Sequence, residues 1–149
     1  MISSRISIRG AVLEDCGRSE PFQTSRPISI SDLELDPPKD GELRVRIEVA
    51  GICHSDLSVV NGSRLRPTPM LLGHEAAGIV EEVGEGVTKV RPGDRVVLTF
   101  LPRCGECRPC LSGTTAPCVV GSSANSAGTL LSGEGRLGRD GQRVHHHLG

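Results

Sequence analysis

Glu42-Leu43-Arg44-Val45-Arg46-Ile47-Glu48-Val49-Ala50 is the stretch that indicates the fold most clearly. Charged and apolar side chains alternate along it, which predicts a β-strand with one buried face and one solvated face. The strand is expected to end at Gly51, since glycine interrupts strand pairing. It would therefore deliver the next residues, Ile52-Cys53-His54-Ser55-Asp56, to the edge of a sheet.

Further short strands are predicted on both sides of this stretch. Residues 2–13, 28–35, 76–83 and 96–101 are rich in aliphatic side chains, with Gly10 and Gly78 as breaks. Residues 55–60 favour one or two helical turns. Several short strands separated by Pro- and Gly-rich turns favour a barrel or a sandwich over a sheet of alternating strands and helices. Residues 121–149, Gly- and Ser-rich up to residue 141, are predicted to be an extended segment.

Composition excludes several classes of function. The chain has 149 residues, about one domain, and a formal net charge of -1, which gives no electrostatic reason to bind nucleic acid or an anionic membrane. It has no Trp or Tyr for stacking on bases. No apolar run approaches the roughly twenty residues that span a bilayer, and the first residues lack the apolar block of a signal peptide. We therefore expect a cytoplasmic protein with neither a nucleic-acid nor a membrane partner.

Four of the six cysteines fall within fifteen residues, at Cys104, Cys107, Cys110 and Cys118. Four thiolates at this spacing, interleaved with glycine and proline, can surround one tetrahedral ion. Such a closed site leaves no position for a substrate, so its role would be structural. Disulfides, free thiols and an iron–sulfur cluster are the alternatives, and zinc is favoured because no signal peptide points to an oxidising compartment.

Cys53 and His74 are a second pair of candidate zinc ligands. A lone cysteine and a lone histidine twenty-one residues apart are more often core and surface residues than ligands. Their neighbours favour a metal, because Asp56 and Glu75 are carboxylates of the kind that orient ligands. Ser55 adds a hydroxyl two residues from the thiol. These residues form most of a catalytic zinc site that is open at one or more positions.

Three other features have ordinary interpretations. The glycine spacing of residues 133–138 matches a dinucleotide fingerprint, but the strand before it and the helix after it are missing, so we reject that function. Cys16 lies in a predicted turn and is interpreted as a filler or surface thiol. His145-His146-His147 could bind a metal or be the remnant of a tag, and ordinary sequence is the preferred interpretation.

The motifs together resemble those of the zinc-dependent medium-chain alcohol dehydrogenases. They are Gly51-Ile52-Cys53-His54-Ser55-Asp56, Gly73-His74-Glu75-Ala76-Ala77-Gly78, Pro92-Gly93-Asp94-Arg95-Val96 and the four-cysteine segment. The resemblance covers about residues 5–149 and is weakest after Cys118. It implies a mainly β fold: the N-terminal catalytic domain of that family, a GroES-like partly open β-barrel with short helices. A zinc-binding cysteine lobe would occupy residues 102–120, and the family's Rossmann domain is absent.

The resemblance also implies roles for single residues. It makes Cys53 and His74 ligands of a catalytic zinc, with Glu75 a carboxylate that can approach the metal. Ser55 would touch the substrate oxygen and begin a proton relay, and His54 would reach the cofactor pyrophosphate. The remaining roles are Asp56 as the partner of the zinc site, Phe100 as a wall of the substrate pocket, and Cys104, Cys107, Cys110 and Cys118 as ligands of a structural zinc.

Two departures from the family pattern limit the expected activity. The histidine that often ends the relay would fall at Ser58, and the family's third zinc ligand, a cysteine, would lie after residue 149, as would the Rossmann domain that binds NAD(P). We expect an incomplete catalytic domain, in a chain that is inactive alone and takes a small alcohol or aldehyde as substrate. A homo-oligomer is compatible with the resemblance. The alternative is a zinc-binding GroES-like structural or interaction module without catalysis.

Overall fold

The computed structural model describes residues 4–147. The predicted strand start at Ile2 and the end of the predicted extended segment, Leu148 and Gly149, lie outside that range. The helices are α1 (Phe22–Ser25), α2 (His54–Val60), α3 (Arg108–Leu111) and α4 (Val119–Ala127). The strands are β1 (Ile6–Leu13), β2 (Ile28–Leu35), β3 (Leu43–Gly51), β4 (Met70–Leu71), β5 (Glu75–Val83), β6 (Arg95–Leu98), β7 (Leu137–Arg139) and β8 (Gln142–His146).

Five of the strands close into a barrel in the order β1-β2-β7-β8-β4. Long antiparallel pairing of β1 with β2, from Ile6 opposite Leu35 to Leu13 opposite Ile28, forms one wall. Strand β4 completes the ring, since it pairs antiparallel with β1 and parallel with β8. The mainly β barrel with short helices predicted from the sequence is thereby confirmed, and its five strands form a closed ring.

Most of the buried apolar side chains form two small clusters. Val12, Leu33, Leu137 and Val144 fill the barrel interior. Leu13, Val59, Val60 and Met70 form the second cluster at the end of the barrel. Val59 and Val60 belong to α2, so their burial fixes that helix against β1 and β4. Burying one such valine stabilises the fold by about 1.5–3 kcal/mol, enough to define where α2 sits.

The other three strands form a separate antiparallel sheet in the order β3-β5-β6. Strand β3 was predicted to bury one face, and this prediction is wrong for the described residues. Ile47 is 47% exposed and Val49 is 63% exposed, and Val97 on β6 is 76% exposed. The alternation of side chains is present, but these three apolar side chains of the sheet are largely exposed.

Strand β5 runs through Gly78 without the break that the sequence predicted. Gly78 lies opposite Ile47 in β3, next to a register shift in that strand. A Cβ at this position would lie 2.3 Å from the backbone oxygen of Arg46. Glycine at this position therefore allows the backbones of β3 and β5 to approach closely, and it does not interrupt the strand.

The prediction that residues 121–149 form an extended segment is also wrong for most of the described part of that segment. It contains most of α4, which begins after Cys118 and ends at Gly128 in the left-handed conformation. It also contains the hairpin of β7 and β8, whose turn residues Asp140 and Gly141 both have positive φ. No helix in residues 4–147 is long and apolar enough to cross a membrane.

Candidate metal centres

The four cysteines predicted to bind zinc converge on one point. Their sulfur atoms all lie within 4.8 Å of one another. Cys107 Sγ is 3.5 Å from Cys110 Sγ and 3.8 Å from Cys118 Sγ. Tetrahedral zinc with bonds of about 2.3 Å places its sulfurs about 3.8 Å apart, whereas a disulfide places them about 2 Å apart. The arrangement fits a metal ion and all four cysteines are free thiols.

Backbone N–H groups surround these sulfurs and favour thiolates. Cys104 and Gly121 donate to Cys118 Sγ at 3.3 and 3.2 Å, and these bonds lower the pKa of Cys118 to about 6. Backbone N–H groups also lower the pKa of Cys107. Partial burial, followed by the neighbouring thiols, raises the pKa of Cys110 to about 11. Cys107 and Cys118 therefore ionise more readily than Cys110. A cation bound by all four sulfurs would neutralise the charge of the thiolates.

Strand pairing places the second candidate centre at one end of the separate sheet. Gly51, the last residue of β3, lies opposite Glu75, the first residue of β5. Cys53 follows Gly51 by two residues and His74 immediately precedes Glu75. The ligand atoms of Cys53, His74 and Glu75 consequently lie within 4.8 Å of one another. The structure thus brings together the three residues that the sequence singled out.

Asp56 organises this centre from the first turn of α2. Its Oδ2 accepts the Cys53 N–H at 2.9 Å, which also closes the start of the helix. Its Oδ1 lies 3.3 Å from His74 Nδ1 and accepts the Gly73 N–H at 3.4 Å. Asp56 and His74 are both buried. With Nδ1 facing Asp56, the other ring nitrogen of His74, Nε2, is buried and has no hydrogen-bond partner among residues 4–147.

Ser55, Phe100 and His54 lie around the same centre. Ser55 Oγ is 3.7 Å from Cys53 Sγ. The Phe100 ring is half exposed, with its centroid 6.3 Å from that of His74 at an interplanar angle of 64°. His54 is exposed at the start of α2, where Ser58 Oγ lies 3.5 Å from its Nδ1.

His147 was not predicted to belong to this centre. Its side chain is 1% exposed and its Nδ1 lies 3.0 Å from Asp56 Oδ1. Burial lowers the pKa of His147 more than the Asp56 carboxylate raises it, so the ring is neutral near pH 7. The Asp-Gly turn before β8 is a strong hairpin signal. Together with the alternation of side chains in a strand, it could have shown that this histidine run belongs to the barrel.

Comparison with known proteins supports the same family. Residues 39–143 match the family model described as the alcohol dehydrogenase GroES-like domain. The chain belongs to the alcohol dehydrogenase family with a GroES-like domain. The matched residues of this alcohol dehydrogenase domain include both candidate metal centres except His147.

Solved structures extend the alcohol dehydrogenase match to nearly the whole chain. An alcohol dehydrogenase zinc-binding domain protein from Burkholderia ambifaria is 34% identical, with a TM-score of 0.84, over 97% of this chain and 37% of that one. Benzyl alcohol dehydrogenase from Acinetobacter calcoaceticus is 31% identical, with a TM-score of 0.78, over 96% and 36%. A cobalt- and zinc-bound thermostable alcohol dehydrogenase from Pyrobaculum aerophilum is 33% identical, with a TM-score of 0.69, over 88% and 37%. The chain thus spans little more than a third of the length of these alcohol dehydrogenases.

The residues present fit zinc at both centres of the alcohol dehydrogenase domain. The lobe offers four sulfurs, and the other centre offers a thiol, a carboxylate and the unpartnered Nε2 of a buried histidine. These are the donor types that zinc selects, and three protein ligands with an open position are typical of catalytic zinc. Residues 4–147 do not fit NAD(P) in the same way, because they contain no parallel sheet covered by helices that could hold a dinucleotide.

Proposed function

We propose that this chain supplies the catalytic-zinc domain of an alcohol dehydrogenase that oxidises an alcohol to an aldehyde or ketone, with hydride transfer to NAD(P). The substrate would be a small alcohol or aldehyde, and the enzyme would act in the cytoplasm. Homo-oligomerisation is compatible with this function. The isolated chain would be inactive, because residues 4–147 provide no dinucleotide site. The names of the similar proteins, which include benzyl alcohol dehydrogenase, support the reaction class and leave the choice of alcohol open.

One observation carries this proposal. The buried Nε2 of His74 has no hydrogen-bond partner among the described residues, beside a thiol and a carboxylate whose ligand atoms lie within 4.8 Å. A buried ring nitrogen without a partner is costly, by about 1–3 kcal/mol, so its retention needs an explanation. A metal ion bound by Cys53, His74 and Glu75 provides one.

The residues of the chain would divide the work at this centre. Zinc would supply Lewis acidity that lowers the pKa of an alcohol, and the nicotinamide would accept the hydride. Ser55, whose Oγ is 3.7 Å from Cys53 Sγ, would accept the proton of the alcohol hydroxyl and release its own hydroxyl proton towards solvent. Phe100, beside His74, would exclude water and contact the apolar part of the substrate. Asp56 would keep the proton of His74 on Nδ1, so that Nε2 is free to bind the metal.

The cysteine lobe would have a structural role. One ion would use all four of its sulfurs, and residues 99–117 contain no buried side chain. Metal binding would therefore contribute folding free energy that packing does not provide. We propose one structural zinc here, in addition to the catalytic zinc.

Metal analysis with matched variants tests the proposal. The chain is first loaded with zinc at the lobe, and cobalt(II) is then titrated into the remaining site, where a thiolate gives a charge-transfer absorption band. We expect one cobalt per chain, and loss of that band in Cys53→Ser. Cys16→Ser is the matched control, because Cys16 is a free, half-buried thiol outside both centres.

The alternative function, a zinc-binding structural module without catalysis, makes the opposite prediction. Such a module would bind metal only at the lobe, and Cys53→Ser would leave cobalt uptake unchanged. That result would contradict the proposed function. Measurable NAD(P)-dependent turnover by the chain alone would contradict the proposed inactivity of the isolated chain.

A further inference from the structure

We propose that His147 is a positioning residue of the Cys53–His74 centre, and that its ring is, with that of His74, one of two imidazole N–H donors to the Asp56 carboxylate. The inference rests on the proposed function, because the centre that His147 would support is the proposed catalytic site. It concerns a residue of the barrel that the motifs in the sequence do not include.

The pairing of β4 with β8 brings His147 to this place. The two strands run parallel, with Met70 opposite His145 and Leu71 opposite His146. Continued in the same direction, β4 leads to His74 and β8 leads to His147. Parallel strands carry the residues that follow them to the same rim of a barrel. His147 therefore reaches the centre through the fold, although it is seventy-three residues from His74 in sequence.

His147 lies close to both Asp56 and His74. Its Nδ1 lies 3.0 Å from Asp56 Oδ1, closer than the 3.3 Å that separates His74 Nδ1 from the same oxygen. The two imidazole rings meet edge to face, with centroids 4.9 Å apart. Their side chains are each 1% exposed and that of Asp56 is 8% exposed. A carboxylate this deeply buried is costly unless several donors surround it, and His147 is in position to be one of them.

The alternative role for His147 is that of a metal ligand. Asp56, His74 and His147 also have ligand atoms within 4.8 Å of one another. His147 Nδ1 is not yet aligned for a hydrogen bond and has no other partner in residues 4–147. A metal ion held by Asp56, His74 and His147 would need an oxygen of Asp56 as a ligand. Both oxygens already accept backbone N–H groups, from Cys53 and Gly73, so we favour the donor role for His147. Rotation of the His147 ring would add a further N–H bond at a separation that is already suitable.

A second imidazole donor would immobilise the Asp56 carboxylate, which contacts His74. With Asp56 immobilised, the Nδ1 proton of His74 stays in place and Nε2 remains directed at the metal. Substitution of such supporting residues costs about 10–100-fold in metal affinity. His147→Leu should therefore weaken cobalt binding at the Cys53 site about tenfold. His147→Asn should retain most of the affinity, because its amide NH₂ can occupy approximately the position of Nδ1.

The experiment has two readouts on the same 149-residue chain, loaded with zinc at the lobe. Competition with a chelator gives the cobalt dissociation constant of the Cys53 site for the parent chain, His147→Leu and His147→Asn. Imidazole ¹H–¹⁵N NMR, recorded without cobalt, identifies which ring nitrogen of His147 carries the proton. The control is His145→Asn, two residues earlier in β8, because the His145 ring packs against Gly128 and lies outside both centres.

The proposal expects a proton on Nδ1 of His147, weakened binding in His147→Leu, rescue in His147→Asn and no effect in the control. A proton on Nε2, or unchanged affinity in His147→Leu, would overturn it. Metal uptake that survives Cys53→Ser and disappears when His147→Leu is added would also overturn it, by making His147 a ligand. If no cobalt binds near Cys53 at all, the proposed function fails, while the NMR spectrum still decides whether His147 is a donor.

Discussion

Single ion pairs connect parts of this chain that are far apart in sequence. Arg139 in β7 donates from Nη1 and Nη2 to the two carboxylate oxygens of Glu14, both at 2.7 Å. Ser29 also donates a hydrogen bond to this carboxylate. Such two-pronged pairs are stronger than ordinary surface ion pairs. The end of β1 is therefore fastened to the hairpin that closes the barrel.

Glu14 should make the stability of the protein depend on acid. The Arg139 guanidinium lowers the pKa of Glu14 from 4.5 to about 2. Because the folded-state value is depressed, the stabilisation is complete above about pH 4.5 and is lost as the pH falls towards about 2. Its size is about 1–3 kcal/mol, allowing for partial exposure. In urea titrations from pH 7 to pH 2, Glu14→Gln should lose stability at neutral pH and show a shallower decline in acid.

Glu34→Gln is the matched control for Glu14, since its partner Arg5 is 57% exposed. We expect its effect to stay below about 0.5 kcal/mol at every pH. Equal acid dependence in the Glu14 variant and the parent would show that the Arg139 contact is not formed in solution.

Arg136 joins the barrel to the separate sheet through a buried pair. It donates to both carboxylate oxygens of Glu42, just before β3, at 2.7 and 2.8 Å, and its side chain is 7% exposed. Arg136→Met would leave Glu42 charged and unpaired, at a cost of about 3–5 kcal/mol. Arg136→Met combined with Glu42→Met should recover part of that loss in denaturant titrations. A double variant as unstable as the sum of the single variants would contradict coupling between the two residues.

The candidate metal ligands were easier to identify from the sequence than the residues that contact them. These ligands lie near strand ends and close to glycines in the sequence, and the pairing of β3 with β5 brings them together as expected; they are Cys53, His74 and Glu75. His147 was missed because its role depends on the pairing of β4 with β8. Pairing between strands distant in sequence leaves no local signal in either strand.

At the scale of elements, the sheet β3-β5-β6 differs in burial from strand to strand. Val80 in β5 is 1% exposed, whereas Val97 in β6 is 76% exposed. Alternation in the sequence identified strands here but not which faces are covered, since that depends on what packs against them.

Substituting each of these valines by alanine measures the difference. Val80→Ala should lower the free energy of unfolding by about 1–3 kcal/mol, through lost burial and the cavity that it leaves. Val97→Ala should change it by less than about 0.5 kcal/mol. Thermal and urea denaturation of the two variants provide the comparison. Similar losses in both would mean that the apolar face of the sheet is covered in solution.

Elements with weak local patterns were the main failure of the sequence analysis. Helix α4 contains one glycine and two alanines among serines, and its amphipathic pattern is faint, so the sequence of residues 121–149 resembled a loop. The helix is instead placed by its ends and by contact with the lobe: a Cβ at Gly121 would lie 2.2 Å from the Pro102 backbone oxygen. Tertiary contacts of this kind decide short helices more than propensity does.

For the whole molecule, the lobe should depend on its metal more than the barrel does. The barrel has two apolar clusters, while residues 99–117 have no buried side chain. Removing zinc with a strong chelator should expose the lobe to limited proteolysis between residues 102 and 120 while β1 and β2 remain protected. Cys107→Ser should show the same cleavage without the chelator. Mass spectrometry of the fragments locates the cuts, and uniform cleavage across the barrel would contradict the independence of the two parts.

The parallel contact of β4 with β8 has a consequence for the order of assembly. Strand β8 is the last strand of the barrel in sequence order, and it leads to His147, whose contact Asp56 lies ninety-one residues earlier in the chain. During refolding, the metal site at Cys53 should reach its full affinity only after β8 has paired with β4, because His147 follows β8. The absorption band of bound cobalt should therefore appear later in refolding than a spectroscopic signal from the pairing of β1 with β2.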